Sequence, residues 1–184
     1  MKTIKDDIQE ILVSEDEIRS KIADMGKQIS EEYRDKDPVL ISILKGSIVF
    51  LADLMKVLDT GCSVDFVAVS SYAGETESSG IVRMIMDLRE SIEDRHVLLV
   101  EDIVDTGLTI SYLKENMLTR KPKSFKICTL LYKPVNPGLR SELDYVGFEI
   151  PNKFVVGYGL DYMERYRNLP YVGVLKPEVY RNRT

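Results

Sequence analysis

The stretch Val97–Thr109, VLLVEDIVDTGLT, decides how this chain is read. Val97-Leu98-Leu99-Val100 is wholly apolar and of the length of a buried strand, and it leads directly into Glu101 and Asp102. Two apolar residues and then Asp105-Thr106-Gly107-Leu108-Thr109 follow, after which Leu108 to Leu118 takes up a helical pattern. A strand, a glycine turn and a helix start in succession place free backbone amides at the positive end of a helix dipole, which makes a cradle for phosphate. Gly107 permits a close backbone approach, while Thr106 and Thr109 can add hydroxyl hydrogen bonds. The loop lacks a Walker A lysine and the G-x-G-x-x-G spacing, which disfavours ATPase and dinucleotide-binding readings. A plain strand-to-helix turn with a threonine cap accounts for D-T-G-x-T taken alone.

The acids change that balance. Carboxylates beside a phosphate repel it unless something neutral or cationic intervenes. Two partners fit: the vicinal hydroxyls of a ribose, which donate to carboxylates, and Mg²⁺, which takes oxygen ligands. Asp105 poses the same problem inside the loop, so its side chain must turn toward a group that carries a proton.

Outward from this stretch, the pattern alternates strands and helices. Ser14 and Glu17 form an S-x-x-E capping box ahead of Ile18, Ile22, Met25, Ile29 and Tyr33, which recur at helical spacing. Val39 to Leu44 reads as a buried strand, Lys45-Gly46-Ser47 as a turn, and Ile48 to Leu58 as a helix. Val64 to Val69 and Ile81 to Leu88 read as strands on either side of a polar stretch, Ser70 to Gly80, which reads as an exposed loop. Phe125 to Tyr132, Phe154 to Tyr158 and Tyr171 to Leu175 complete the strands. The expectation is an α/β fold with a mainly parallel sheet, whose ligands gather beyond the carboxyl ends of the strands, just after Leu44, Val100, Leu131 and Val156.

Composition bounds the rest. At 184 residues, 44% apolar and 30% charged, the chain suits one domain, residues 1–184, with a core of its own. The net charge of −5 argues against nucleic acid as a partner. No apolar run approaches the roughly 20 residues that span a bilayer, and MKTIKDDIQE has no signal-peptide core. Cys62 and Cys128 stand apart from each other and from His96, the single histidine, so reduced thiols and a cytoplasmic setting are expected.

The thirteen residues Val97–Thr109 resemble the phosphoribosyl pyrophosphate signature of the type I phosphoribosyltransferases. Leu44-Lys45-Gly46-Ser47 is similar to the L-K-G turn of the hypoxanthine-guanine members, and Val146 to Arg167, VGFEIPNKFVVGYGLDYMERYR, to their base-binding region. The resemblance runs from about Pro38 to Leu175. It implies the type I phosphoribosyltransferase fold, with a hood made from N- and C-terminal segments and a flexible lid at about 70–80 headed by Ser71 and Tyr72. It also implies purine salvage: transfer of a phosphoribosyl group from phosphoribosyl pyrophosphate to N9 of hypoxanthine or guanine, with Mg²⁺. By the same resemblance, Asp105, Thr106, Gly107, Leu108 and Thr109 hold the 5′-phosphate, with Asp105 also the general base. Glu101 and Asp102 hold the ribose and, with Asp161, the metal shell. Lys45, Gly46 and Arg167 border the pyrophosphate. Lys133 donates to the purine 6-oxo group, Phe154 stacks on the base, the Val155 backbone reads its edge, and Asp161 lies near the exocyclic edge. Relatives form dimers or tetramers. Leu108 departs from members that carry a basic residue there; backbone donors do not depend on that side chain. Two other readings stay open at this point: a nucleotide-sensing regulator on the same fold that binds RNA or DNA, and a transferase for another base such as xanthine.

Overall fold

The computed structural model describes residues 3–73 and 78–181. Strands are β1 (Ile8–Val13), β2 (Val39–Leu44), β3 (Ser63–Ala73), β4 (Ser78–Met86), β5 (His96–Val104), β6 (Ser124–Tyr132), β7 (Tyr145–Glu149), β8 (Val155–Val156) and β9 (Val172–Leu175). Helices are α1 (Glu15–Glu32), α2 (Ile48–Val57), α3 (Leu108–Leu118) and α4 (Pro177–Arg181). Six strands form one sheet in the order β4-β3-β2-β5-β6-β7, parallel except for the antiparallel edge pair β3–β4. The α/β expectation holds, and the apolar runs of β2 and β5 lie at its centre because helices cover both faces.

The expected capping box starts α1: the Ser14 Oγ accepts from the Glu17 amide, and Glu17 accepts from the Ser14 amide at 2.8 Å. Ile18, Ile22, Met25 and Ile29 then face the sheet together with Phe50, Leu51 and Leu54 of α2. Ile110, Leu113 and Met117 of α3 pack with Val97, Leu99 and Ile127 in a second apolar cluster. His96 opens β5, its Nδ1 2.7 Å from the Ser124 Oγ and far from the carboxyl end of its strand, as suits a structural residue. Cys62 and Cys128 are free thiols, the latter fully buried.

Three departures from the sequence reading have physical reasons. The stretch read as a loop from Ser70 to Gly80 is largely a hairpin, with Ser71 paired to Val82 and Ala73 to Ser78; small polar residues suit an edge ribbon as well as a loop. Residues 74–77, in the middle of the expected lid, lie outside the described residues. The strand read over Phe154 to Tyr158 shrinks to Val155–Val156, since Gly157, Tyr158 and Gly159 all take positive φ (97°, 49° and 97°). Finally, β1 went unread because only Val13 of it is buried. It pairs with β9, which pairs with β8, in a separate three-stranded sheet built from both ends of the chain.

Candidate active site

The site grows from a mismatch in the sheet. Pairing of β5 to β2 stops at Val100, whereas pairing to β6 continues through Glu101, Ile103 and Val104. Beyond Val100 one side of β5 is therefore left to the Lys45–Gly46 turn. Glu101 and Asp102 lie inside the strand rather than past its end, and both are buried. The Glu101 Oε2 has no hydrogen-bond partner among the described residues. Burial, and then the adjacent Asp102 charge, push the Glu101 carboxyl well above the usual range. Burial raises Asp102 to about 6, against lowering by backbone amides and by Arg167. A buried carboxyl that resists ionisation gains from a cation or from hydroxyl donors brought to it.

β5 runs out at Val104, and the chain turns through Asp105 to Gly107. Gly107 has φ 84° and caps α3; a Cβ there would sit 2.5 Å from Leu139 Cδ2, so glycine is required on both counts. Thr106 and Leu108 are exposed and Thr109 is half-buried at the first turn of α3, whose amides lack intrahelical acceptors. β6 ends one strand over, and Lys133 follows it. The Lys133 amide donates to the Val104 carbonyl at 2.9 Å, and its ammonium reaches the Asp105 Oδ2 at 2.6 Å. The Lys133 side chain is only 9% exposed and that of Asp105 45%. Two residues that sequence separates by 28 positions thus become a buried donor beside an accessible acceptor.

On the opposite flank, the peptide between Leu44 and Lys45 is cis. A Cβ on Gly46 would lie 1.9 Å from the Asp102 Oδ2, so this turn presses directly on the acid. Below it, Ser47 Oγ bonds Ser42 Oγ at 2.6 Å and the Ile43 carbonyl at 2.5 Å, anchoring the turn to its own strand. Gly159 closes from above: a Cβ there would lie 2.0 Å from the Gly46 carbonyl oxygen. Arg167 donates to the Gly159 carbonyl at 2.8 Å and pairs with Asp161 at 2.8 Å and Glu164 at 3.3 Å. Lys45 also pairs with Glu164, at 3.1 Å. The expected cations thus converge through one acid, Glu164, that sequence reasoning did not single out. Asp161 is engaged on both oxygens, the second accepting from the Glu164 amide at 2.8 Å.

Phe154 is 42% exposed, stacked on Tyr180 of α4 with centroids 5.0 Å apart and edge-on to Tyr162 at 5.7 Å. Val155 is buried in β8 and pairs with Val174. Ser71 and Tyr72 fall on β3, and their side chains lie outside the described residues. A cavity of about 490 Å³ lies behind Arg167, bounded by Val49, Asp53, Tyr158 and Pro170; none of its lining residues belongs to the 101–109 stretch.

No three acids, histidines or cysteines converge on a single point among the described residues. An all-protein cage is thus not built here. The two buried acids at the end of β5 fit Mg²⁺ in another way, since this ion commonly takes one or two carboxylates and completes its shell with water and substrate phosphates.

Residues 9–163 match the phosphoribosyl transferase domain family. The chain belongs to that family. Among its relatives, this phosphoribosyltransferase is 53% identical over 179 residues to the hypoxanthine-guanine phosphoribosyltransferase of Bacillus subtilis, covering 97% of this chain and 99% of that one. It is 51% identical to the bifunctional protein TilS/HprT of Listeria innocua, of whose length it spans 28% while 97% of this chain is matched. A crystal structure of a hypoxanthine phosphoribosyltransferase from Staphylococcus aureus superposes with a TM-score of 0.88 at 46% identity, covering 98% of each chain. The likeness therefore extends over both sheets of the phosphoribosyltransferase, including the small one that the sequence signals least. Asp53, Tyr158, Glu164 and Tyr180 escaped the sequence reading, because isolated acids and tyrosines give no spacing signal until the fold brings them together.

Proposed function

We propose that this chain catalyses purine salvage, transferring the 5-phosphoribosyl group of phosphoribosyl pyrophosphate to N9 of hypoxanthine or guanine, with release of pyrophosphate. One observation carries the choice of base: the Lys133 ammonium stands 2.6 Å from the Asp105 carboxylate, which opens the phosphate loop. A 6-oxopurine presents along one edge an oxygen acceptor at C6 and a proton on N7. A donor beside an acceptor matches that edge. Adenine puts an amino donor at C6, against an ammonium that has only donors.

The chemistry is a substitution at C1′: the N9–C1′ bond forms as the bond from C1′ to the pyrophosphate oxygen breaks, through a transition state with oxocarbenium character, as in glycoside cleavage. The amides and hydroxyls from Thr106 to Thr109 hold the 5′-phosphate at the start of α3. Glu101 and Asp102 accept from the ribose hydroxyls. Asp105 takes the N7 proton as N9 attacks, which leaves the product purine neutral. Phe154 supplies a flat apolar face for the base, and the Val155 backbone reads its edge. Lys45, Gly46 and Arg167 receive the departing diphosphate. Mg²⁺, held by Glu101 and Asp102 with Asp161 behind, would neutralise negative charge on that group. The small sheet serves as a hood, and the β3–β4 tip with Ser71 and Tyr72 as a lid that excludes water.

Reduced thiols support a cytoplasmic setting, and no helix of the described residues is long and apolar enough to cross a membrane. Ile48 and Met55, two turns apart on one face of α2, leave apolar side chains exposed, which suits a homodimer or homotetramer. The test is an absorbance assay with phosphoribosyl pyrophosphate and Mg²⁺ against hypoxanthine, guanine, xanthine, adenine and uracil separately. Nucleotide from hypoxanthine or guanine, with none from adenine or uracil, is the expected result; turnover of adenine alone would overturn the assignment.

A further inference from the structure

We infer that Asp53 is a positioning residue for the leaving-group side of the site, acting through Tyr158 to hold Arg167 against the Lys45–Gly46 turn. The inference rests on the proposed role of Lys45, Gly46 and Arg167 toward pyrophosphate. The Gly157–Tyr158–Gly159 arch is an unusual piece of backbone, with three consecutive positive φ values of 97°, 49° and 97°. Two glycines tolerate this freely; a tyrosine does not, and such a residue persists only where its surroundings fix it.

The surroundings are specific. Tyr158 is buried, and its hydroxyl donates to the Asp53 Oδ2 at 2.6 Å. Asp53 keeps that oxygen for the tyrosine because Lys56 binds the other one, Oδ1, at 2.9 Å. The backbone on either side of the tyrosine is tied to the segment that carries Arg167: the Tyr158 amide donates to the Leu169 carbonyl at 2.8 Å and the Gly159 amide to the Arg167 carbonyl at 2.9 Å. Gly159 then does two things at once. Its carbonyl accepts from the Arg167 guanidinium at 2.8 Å, and its α-carbon packs so close to Gly46 that a Cβ would lie 2.0 Å from the Gly46 carbonyl oxygen.

These contacts close a ring. The Lys45–Gly46 turn leads into α2 through Ser47, and six residues on, about 9 Å along the helix axis, Asp53 reaches Tyr158. Tyr158 fixes Gly159, and Gly159 returns to Gly46 while it holds Arg167. A rigid helix is thus the strut that sets the separation between the two cationic arms, Lys45 and Arg167. Asp53 itself touches no reacting group. Removing it would let the arch relax, and the groups meant to meet a diphosphate would lose their preset spacing.

On the purine side, the Asp105–Lys133 pair hangs on β5 and β6 and Val155 is held by its own pairing to β9, so the effect should fall mainly on phosphoribosyl pyrophosphate. The experiment is steady-state kinetics of full-length Asp53→Ala, Asp53→Asn and Tyr158→Phe with phosphoribosyl pyrophosphate and hypoxanthine, alongside product inhibition by inorganic pyrophosphate and a thermal melt of each variant. Asp53→Ala and Tyr158→Phe should raise KM for phosphoribosyl pyrophosphate and Ki for pyrophosphate about tenfold, the effect of losing one hydrogen bond to a charged group, with KM for hypoxanthine changed less than about twofold. Asp53→Asn should recover most of the loss, since its amide oxygen still accepts from the tyrosine. Should Asp53→Ala fail to fold, Tyr158→Phe, which keeps the buried ring, decides the matter. Unchanged KM for phosphoribosyl pyrophosphate in an active variant, an equal rise for both substrates, or no recovery by asparagine would overturn the positioning role alone. A wild-type protein that made no nucleotide would instead overturn the proposed function, and this inference with it.

Discussion

Asp105 and Lys133 make the sharpest demands at the scale of single residues. Both were singled out from sequence, yet the 2.6 Å contact between them was not legible there, because it depends on β5 and β6 ending side by side. If Asp105 takes the N7 proton, Asp105→Asn should lower kcat by roughly 10²–10⁴, the usual worth of general acid–base help. A loss within threefold would remove that role. Lys133→Ala should raise KM for hypoxanthine and narrow the preference over adenine, because an unmatched 6-amino group would no longer meet an ammonium. Competition kinetics with the two bases read this directly, and undiminished selectivity would assign discrimination elsewhere. Glu164 illustrates what sequence hides: an exposed acid in a charged stretch reads as solvated surface until the fold shows it between Lys45 and Arg167.

Among the elements, β5 with its loop was the most legible and the 157–159 arch the least. An apolar run followed by acids and a glycine turn has few foldings open to it, whereas Phe154 to Tyr158 carries strand-forming residues that tertiary contacts bend into an arch. β1 was missed for the opposite reason, having too little buried surface to leave a pattern. The arch offers an element-scale prediction. Gly159→Ala must place a methyl 2.0 Å from the Gly46 carbonyl at φ 97°, and should destabilise the protein by at least about 2 kcal/mol. For a chain of this size that means a melting point lower by about 4–8 °C. Gly138→Ala, whose new methyl would meet nothing nearer than Asn136 Oδ1 at 3.6 Å, is the control and should melt within about 2 °C of wild type. Equal behaviour of the two variants would mean that the arch is not tightly held.

Over the whole molecule, the buried acids tie stability to pH. Burial lifts Asp102 from an ordinary 3.8 to about 6, so the folded state favours its protonated form. That contribution is fully present below about pH 4 and is lost as pH rises through 6, a swing on the order of 3 kcal/mol for a shift of roughly two units. Asp102→Asn cannot titrate, so its melting point should gain on wild type between pH 4 and pH 7; a difference that stayed constant across that range would contradict the burial effect. The same burial would favour a cation or sugar hydroxyls brought to Glu101 and Asp102, as proposed. Everything proposed for catalysis depends on ligands being received at residues 101–109. A crystal structure grown with guanosine 5′-monophosphate and Mg²⁺ tests it most directly. The expected density places the 5′-phosphate on the amides of Thr106 to Thr109, the ribose hydroxyls at Glu101 and Asp102, and the base between Phe154 and Lys133. Nucleotide bound elsewhere, with the carboxyl end of β5 left unengaged, would contradict it.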